Sequence, residues 1–281
     1  MSNWIENTRG AFMKKYAILL AALAVVLMAG CEGDDPSGGG GTLATVTGLE
    51  IDTDNCAGRD IVINWTAVED AEEYEIYFST SGTPGAGDAV TTTTNTTFTH
   101  TDATSSGYYS VRAKDGDNYS ESFATAVNTM PTELTTTVNI YDNYAPSEYD
   151  SGIRFTFNGA ETGLASSASF NQDLYAYEPT SKGDTEVQLR SGDEGPYNQG
   201  GKRTEMYEVG STYGYPTGSA WTFGDIVSGD VICGKLFDGY WIKVYIDDIQ
   251  GLSTGDNATE VTLHYEMQNI QNVSLFTTKS S

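Results

Sequence analysis

Between Glu194 and Asp225 six aromatic side chains, Tyr197, Tyr207, Tyr213, Tyr215, Trp221 and Phe223, stand among Gly, Ser, Thr and Pro. Rings carried on polar backbone offer wide apolar surface at low entropic cost, the chemistry by which a loop stacks on a sugar or grips a protein. Lys202, Arg203 and Asp225 share the segment and could orient such a ligand through hydrogen bonds. Tyr197, Tyr207, Tyr213, Tyr215 and Trp221 are therefore the candidate ligand contacts. The competing reading has several of these rings plugging the end of a β-structure.

Asp52, Asp54 and Asp60, with Asn55 among them, supply oxygens of the kind calcium takes, but without the ordered twelve-residue loop and terminal glutamate of a dedicated calcium loop. Solvated turn acids explain them equally simply, and Asp115, Asp117 and Asn118 read as hairpin chemistry. The two histidines, His100 and His264, each stand alone in an alternating run, which favours structural roles. His-Glu-x-x-His, Gly-x-Ser-x-Gly, a phosphate-binding glycine loop and Cys/His metal spacing are all missing from the sequence. Glycoside hydrolysis needs only two facing carboxylates, yet none of the 39 acidic residues is marked out by its spacing. The expectation is a binding protein and not an enzyme, with calcium the one cofactor left open.

A formal charge of -25 argues against nucleic acid as a partner. Of three cysteines, Cys56 and Cys233 lie far apart in sequence. An export compartment would permit a disulfide between them, and two buried thiols are the alternative. Cys31 is different. It follows Lys14-Lys15, an apolar run from Tyr16 to Met28, and Ala29-Gly30. At about 13 residues the run matches a signal h-region and falls short of the roughly 20 that a membrane-spanning helix needs. Residues 1–30 are expected to be a signal peptide, with Met13 the more natural start.

The run ending at Cys31 resembles the lipobox of bacterial lipoproteins, a family in which that thiol is acylated. The acidic cluster Glu32, Asp34, Asp35 is similar to the surface-export signal of Bacteroidota lipoproteins, although an acidic solvated linker would look the same. The resemblance implies an outer-membrane lipoprotein, at the cell surface or facing the periplasm, that touches the membrane through lipid. Its partner would be a protein, a matrix or a glycan, or, for a structural subunit of a surface assembly, another copy or another shell protein. Pro36-Ser37 and glycines 38 to 41 complete a linker over 31–42 with the composition of flexible coil.

The elements beyond this linker all read as strands. In 43–131, VTGLEI, DIVINWTAV, EYEIYFST, TTFTHTD, GYYSVRAKD and SFATAV alternate with period two between turn-rich joints, the pattern of an antiparallel β-sandwich. Thr47-Gly48-Leu49, then Ile61, Ile63 and Trp65, then Ala71, Tyr74, Ile76 and Phe78, then Tyr109, Val111, Arg112 and Ala113 before Asp115-Gly116, resemble the fibronectin type III domain. That resemblance implies a spacer or protein-binding module. One departure is visible: the position of the family's corner tyrosine falls on Gly107 or slides to Tyr108, so its hydrogen bond is expected to be absent or rearranged. In 132–281, TTTVNIYDN, GIRFTFNG, DLYAYEP, TEVQLRS, DVICGKL, YWIKVYID, EVTLHYEM and NVSLFTT again read as strands, with no sustained helical period. A second all-β domain, sandwich or barrel, is the expectation. Its strand order is loosely similar to that of Bacteroidota lipoprotein domains, and its terminal strand pair to HmuY-type haem-capturing lipoproteins. Haem ligation in that group rests on paired histidines, and here only His264 is present.

Overall fold

The computed structural model describes residues 42–167, 169–179, 187–197, 202–209, 214–251 and 258–278. Cys31, the signal run and the glycine linker lie outside them. Residues 40–281 form one compact unit. Among the described residues regular structure is all β except for two short 3-10 turns, and no helix is long and apolar enough to cross a membrane.

The first eight strands are β1 (Glu50–Ile51), β2 (Ile61–Asn64), β3 (Glu73–Ser79), β4 (Ala89–Thr93), β5 (Thr97–His100), β6 (Tyr108–Asp115), β7 (Asn118–Tyr119) and β8 (Val127–Asn128). They build two antiparallel sheets, β1-β2-β5 and β4-β3-β6-β7, with β8 also on β6. Alternation does the work that the sequence predicts: Ile61 and Ile63 of β2, Tyr74 and Ile76 of β3 and Tyr109, Val111 and Ala113 of β6 point into one core with Trp65. The result is the fibronectin type III-like sandwich. SFATAV is not a strand over its length. Only its last residue opens β8, while Ser120 and Ala124 still donate to Ala113 O and Val111 O, so the edge of β6 stays satisfied.

A Cβ on Gly107 would lie 2.4 Å from the Phe78 ring and 2.6 Å from Ser79 O, so no side chain fits there. Tyr109 is the fully buried ring instead, its hydroxyl 2.8 Å from His100 Nδ1. His100 packs edge-on against Phe78 and Tyr109, and burial holds its pKa below the ordinary value. Its role is structural.

The remaining strands are β9 (Thr132–Tyr141), β10 (Gly152–Arg154), β11 (Glu161–Gly163), β12 (Leu174–Tyr177), β13 (Val187–Ser191), β14 (Glu205–Glu208), β15 (Thr217–Trp221), β16 (Phe223–Ile226), β17 (Val231–Lys235), β18 (Trp241–Gly251) and β19 (Thr259–Met267). They form a five-stranded sheet, β11-β10-β12-β13-β16, and a six-stranded sheet, β15-β14-β17-β18-β19-β9, antiparallel throughout. Ile153, Leu174 and Leu189 from the first meet Ile242, Val244, Leu263 and Tyr265 from the second in a common core. The chain steps from one sheet to the other at a single residue, Thr222: Trp221 pairs with Met206 and Phe223 with Arg190. That corner links an edge strand of one sheet directly to an edge strand of the other.

NVSLFTT, expected as a strand, is one only at the isolated bridge between Val273 and Gly58. The physical reason is that the segment is covered on both sides. Ile270, Val273 and Leu275 belong to the core of the first sandwich, whereas Phe276 packs with Cys233 and Trp241 on the outer face of the six-stranded sheet. Backbone bonds that a ladder would supply go to loops: Gly58 N to Asn272 O at 2.7 Å, Ser274 N to Gly58 O at 2.8 Å, Ser106 N to Phe276 O at 3.0 Å and Phe276 N to Gly214 O at 2.6 Å. Gln268, fully buried, donates to Thr129 O and Leu275 O and accepts from Ile270 N. The tail thus ties the two sandwiches together.

Candidate functional site

At the Thr222 corner residues of both sheets line a cleft of about 710 Å³, within the range of roughly 300–1,000 Å³ that small-molecule sites occupy. Trp221 and Phe223 form its aromatic side, with Gly224 between indole and backbone. A Cβ at Gly224 would lie 3.0 Å from the indole, so glycine is what lets Trp221 lie against the strand. Phe223 is 54% exposed. It is held nonetheless: the Arg190 guanidinium sits 5.3 Å from its ring and 4.0 Å from that of Tyr177, and Gln188 Oε1 accepts from Arg190 Nη2 at 2.7 Å.

Acceptors rim the cleft. Asp225 Oδ1 accepts from Gln188 Nε2 at 2.8 Å, and Asp230 Oδ2 caps its own turn by accepting from Val227 N at 2.8 Å. Glu208 ends β14 on the exposed side. β18 adds Lys243 and Tyr245 to the lining, alternating against the core residues Ile242, Val244 and Ile246. Lys243 is 5% exposed, and its Nζ donates to Thr277 O at 3.2 Å. The Tyr245 hydroxyl donates to Glu266, its ring stacks on His264 at 4.6 Å, and burial first, then that glutamate, push its pKa up. His264 Nδ1 lies 2.8 Å from Asp247 Oδ2, a side-chain pair on the sheet surface.

The predicted aromatic set is only partly assembled. The supposed loop 194–225 contains β14, β15 and the start of β16, and a strand fixes which way each ring points. Trp221 lines the cleft. Tyr207 does not: its ring lies 5.2 Å from Trp241 in the cluster beneath Phe276, with its hydroxyl on Glu205. Tyr215 is half-buried against the core of the first sandwich, with the Arg59 guanidinium 4.3 Å from its ring, so it packs the two sandwiches together. Tyr213 and the Tyr197 side chain lie outside the described residues, as does Cys31. Lys202 stands 5.0 Å from the Phe237 ring, and Arg203 pairs with Asp193 at 3.5 Å.

Asp52, Asp54 and Asp60 are not gathered into a metal site; among the described residues no three His, Cys, Asp or Glu side chains are. The Asp52 and Asp60 oxygens serve the local backbone and amides. Asp52 accepts from Asn55 and Asn64, which hold its pKa below the usual value, and Asp60 accepts from Asp102 N. Cys56 and Cys233 are free and buried, one in each sandwich, and loss of water pushes both thiols up in pKa.

Missed by the sequence were Phe223 as a ligand contact, Glu208, Asp230, and the pair Lys243 and Tyr245. The alternation of β18 does identify the last two as sharing a face; which face a cleft would occupy depends on the Thr222 corner.

No protein-family model matches the chain, and no curated protein does. Among solved structures it is similar over 31% of its length to "Structure of FN3tt mut", at 14% identity and a TM-score of 0.25, covering 92% of that chain. Over the same share it is similar to "Crystal Structure of FN3tt", at 16% identity and a TM-score of 0.26, covering 95% of that chain.

Proposed function

We propose that this protein is a non-enzymatic binding protein of the bacterial cell envelope, lipid-anchored at Cys31 and displayed from the outer membrane at the cell surface. The observation that carries the binding role is the cleft at the Thr222 corner, where exposed Phe223 and half-buried Trp221 stand beside Asp225 and Glu208. The anchor rests on the lysines, apolar run and small residues before Cys31, and surface display on the acids after it. In this role the fibronectin-like unit is a support for the C-terminal sandwich and performs no chemistry of its own.

Two readouts test the placement. Expressed in a bacterium with lipoprotein export, the wild-type chain should incorporate an alkynyl fatty acid and sediment with outer membrane, while Cys31→Ser should do neither. Protease added to intact cells should remove a tag placed at the C-terminus. A chain that is not acylated, or that stays membrane-bound after Cys31→Ser, defeats the anchor. A tag protected until the cells are broken defeats surface display.

A further inference from the structure

We infer that the cleft at the Thr222 corner binds an uncharged saccharide, a deepening that rests on the binding role proposed above. The lining mixes three kinds of group, and the mixture discriminates between ligand classes. Trp221, Phe223 and Tyr245 provide aromatic surface; Glu208, Asp225 and Asp230 can only accept when ionised; Lys243 can only donate.

An anion is disfavoured, because three carboxylates face one ammonium in the lining of a chain with formal charge -25. A cage for an organic cation wants aromatic faces and acceptors alone. Here the Lys243 ammonium already stands 5.4 Å from the Tyr245 ring, so that ring is taken by a cation of the protein's own. A sugar hydroxyl both donates and accepts. Hydroxyls along a ring can therefore donate to the carboxylates of the lining, while the apolar C–H face lies on an aromatic ring.

Rigidity points the same way. Phe223 is backed by Arg190, and Arg190 by Tyr177 and Gln188, so the exposed ring is fixed before a ligand arrives and little ordering entropy opposes binding. The turn that carries Asp230 is likewise set by its bond from Val227 N and by Gly229 N on Ile246 O. Neighbouring groups on two different strands, each held by its own bonds, form a site and not a chance scatter of surface acids.

The test uses the purified protein with three probe sets in calorimetry: neutral gluco-, manno- and xylo-oligosaccharides; the same backbones bearing carboxylate or sulfate; and oligolysine. The expected result is binding of at least one neutral set, no binding of its anionic counterpart, and an affinity lowered about tenfold or more by Phe223→Ala and by Glu208→Gln. Both positions are exposed, and unchanged circular dichroism and melting temperature in the two variants confirm the fold. Binding of oligolysine or of the anionic chains alone, lost on Phe223→Ala, overturns the saccharide assignment and keeps the cleft as a site. Binding of no probe, or binding indifferent to both substitutions, defeats the cleft itself.

Discussion

Leu275 offers the sharpest test of how the molecule holds together. It lies near the C-terminus, yet it is fully buried in a core whose other members, Ile61, Ile63, Tyr109 and Val111, come from the first sandwich. Its carbonyl is fixed by Ser106 Oγ at 2.9 Å and by Gln268 Nε2 at 2.5 Å, so the backbone cannot slide to refill a hole. Leu275→Ala should then cost the transfer term plus most of the cavity term, about 2–5 kcal/mol. The loss should appear in the other half of the chain. Amide exchange in β2 and β6, read by mass spectrometry under conditions where protection reports stability, should accelerate about 30-fold or more. Leu275→Met, which nearly conserves volume, should cost less than about 1.5 kcal/mol and serves as the control. Should β2 and β6 keep their protection within about threefold in Leu275→Ala, the tail would not be part of that core, and the two sandwiches would be neighbours only.

Three further outcomes follow from buried groups. Gln268→Leu removes the partner of Thr129 O, Leu275 O and Ile270 N and should lower unfolding free energy by about 2 kcal/mol or more in denaturant titration; a change under about 0.5 kcal/mol would contradict the network. Burial raises the Asp173 carboxyl from 3.8 to about 6, against the lowering bond from Phe155 N. The folded state then holds that proton more tightly than the unfolded chain, so the contribution is complete below about pH 4 and lost as pH rises through 6. Compared between pH 4 and pH 7, stability should shift in favour of Asp173→Asn over wild type by about 2 kcal/mol, and parallel pH profiles would refute it. Cys56 and Cys233 should resist maleimide in the native protein and react once it is unfolded, whereas two thiols that stay hidden in denaturant until reduced would reveal a disulfide.

The first sandwich was legible because its signals are local. Ile61-x-Ile63-x-Trp65 and Tyr109-x-Val111-x-Ala113 declare an inward face within a few residues, and the turns between them carry their own chemistry. What was hidden is everything set by a partner distant in the chain. Ile270, Val273 and Leu275 are spaced by three and then two, a pattern that belongs neither to a strand nor to a helix, because they fill a gap between two bodies instead of one face of a sheet. The same cause explains Gly107: the Phe78 ring and Ser79 O exclude any side chain there, and nothing in the neighbouring sequence announces it.

The aromatic segment was only half legible, for a different reason. Its abundance of Gly, Ser, Thr and Pro read as loop, but β14 lies inside the six-stranded sheet, and β15 and β16 are edge strands of the two sheets. Each strand then sorted its rings by parity and by what covers each face, sending Tyr207 beneath Phe276 and Tyr215 against the first core. Trp221 and Phe223, two residues apart, would share a face in an unbroken strand. The change of sheet at Thr222 breaks that parity, leaving Trp221 half-buried against the core and Phe223 exposed. Two rings with unequal burial on two adjoining edges make a concave corner where a regular strand would have made a flat stripe. Composition could nominate the aromatic residues; only the crossing decides which of them remain available to a ligand.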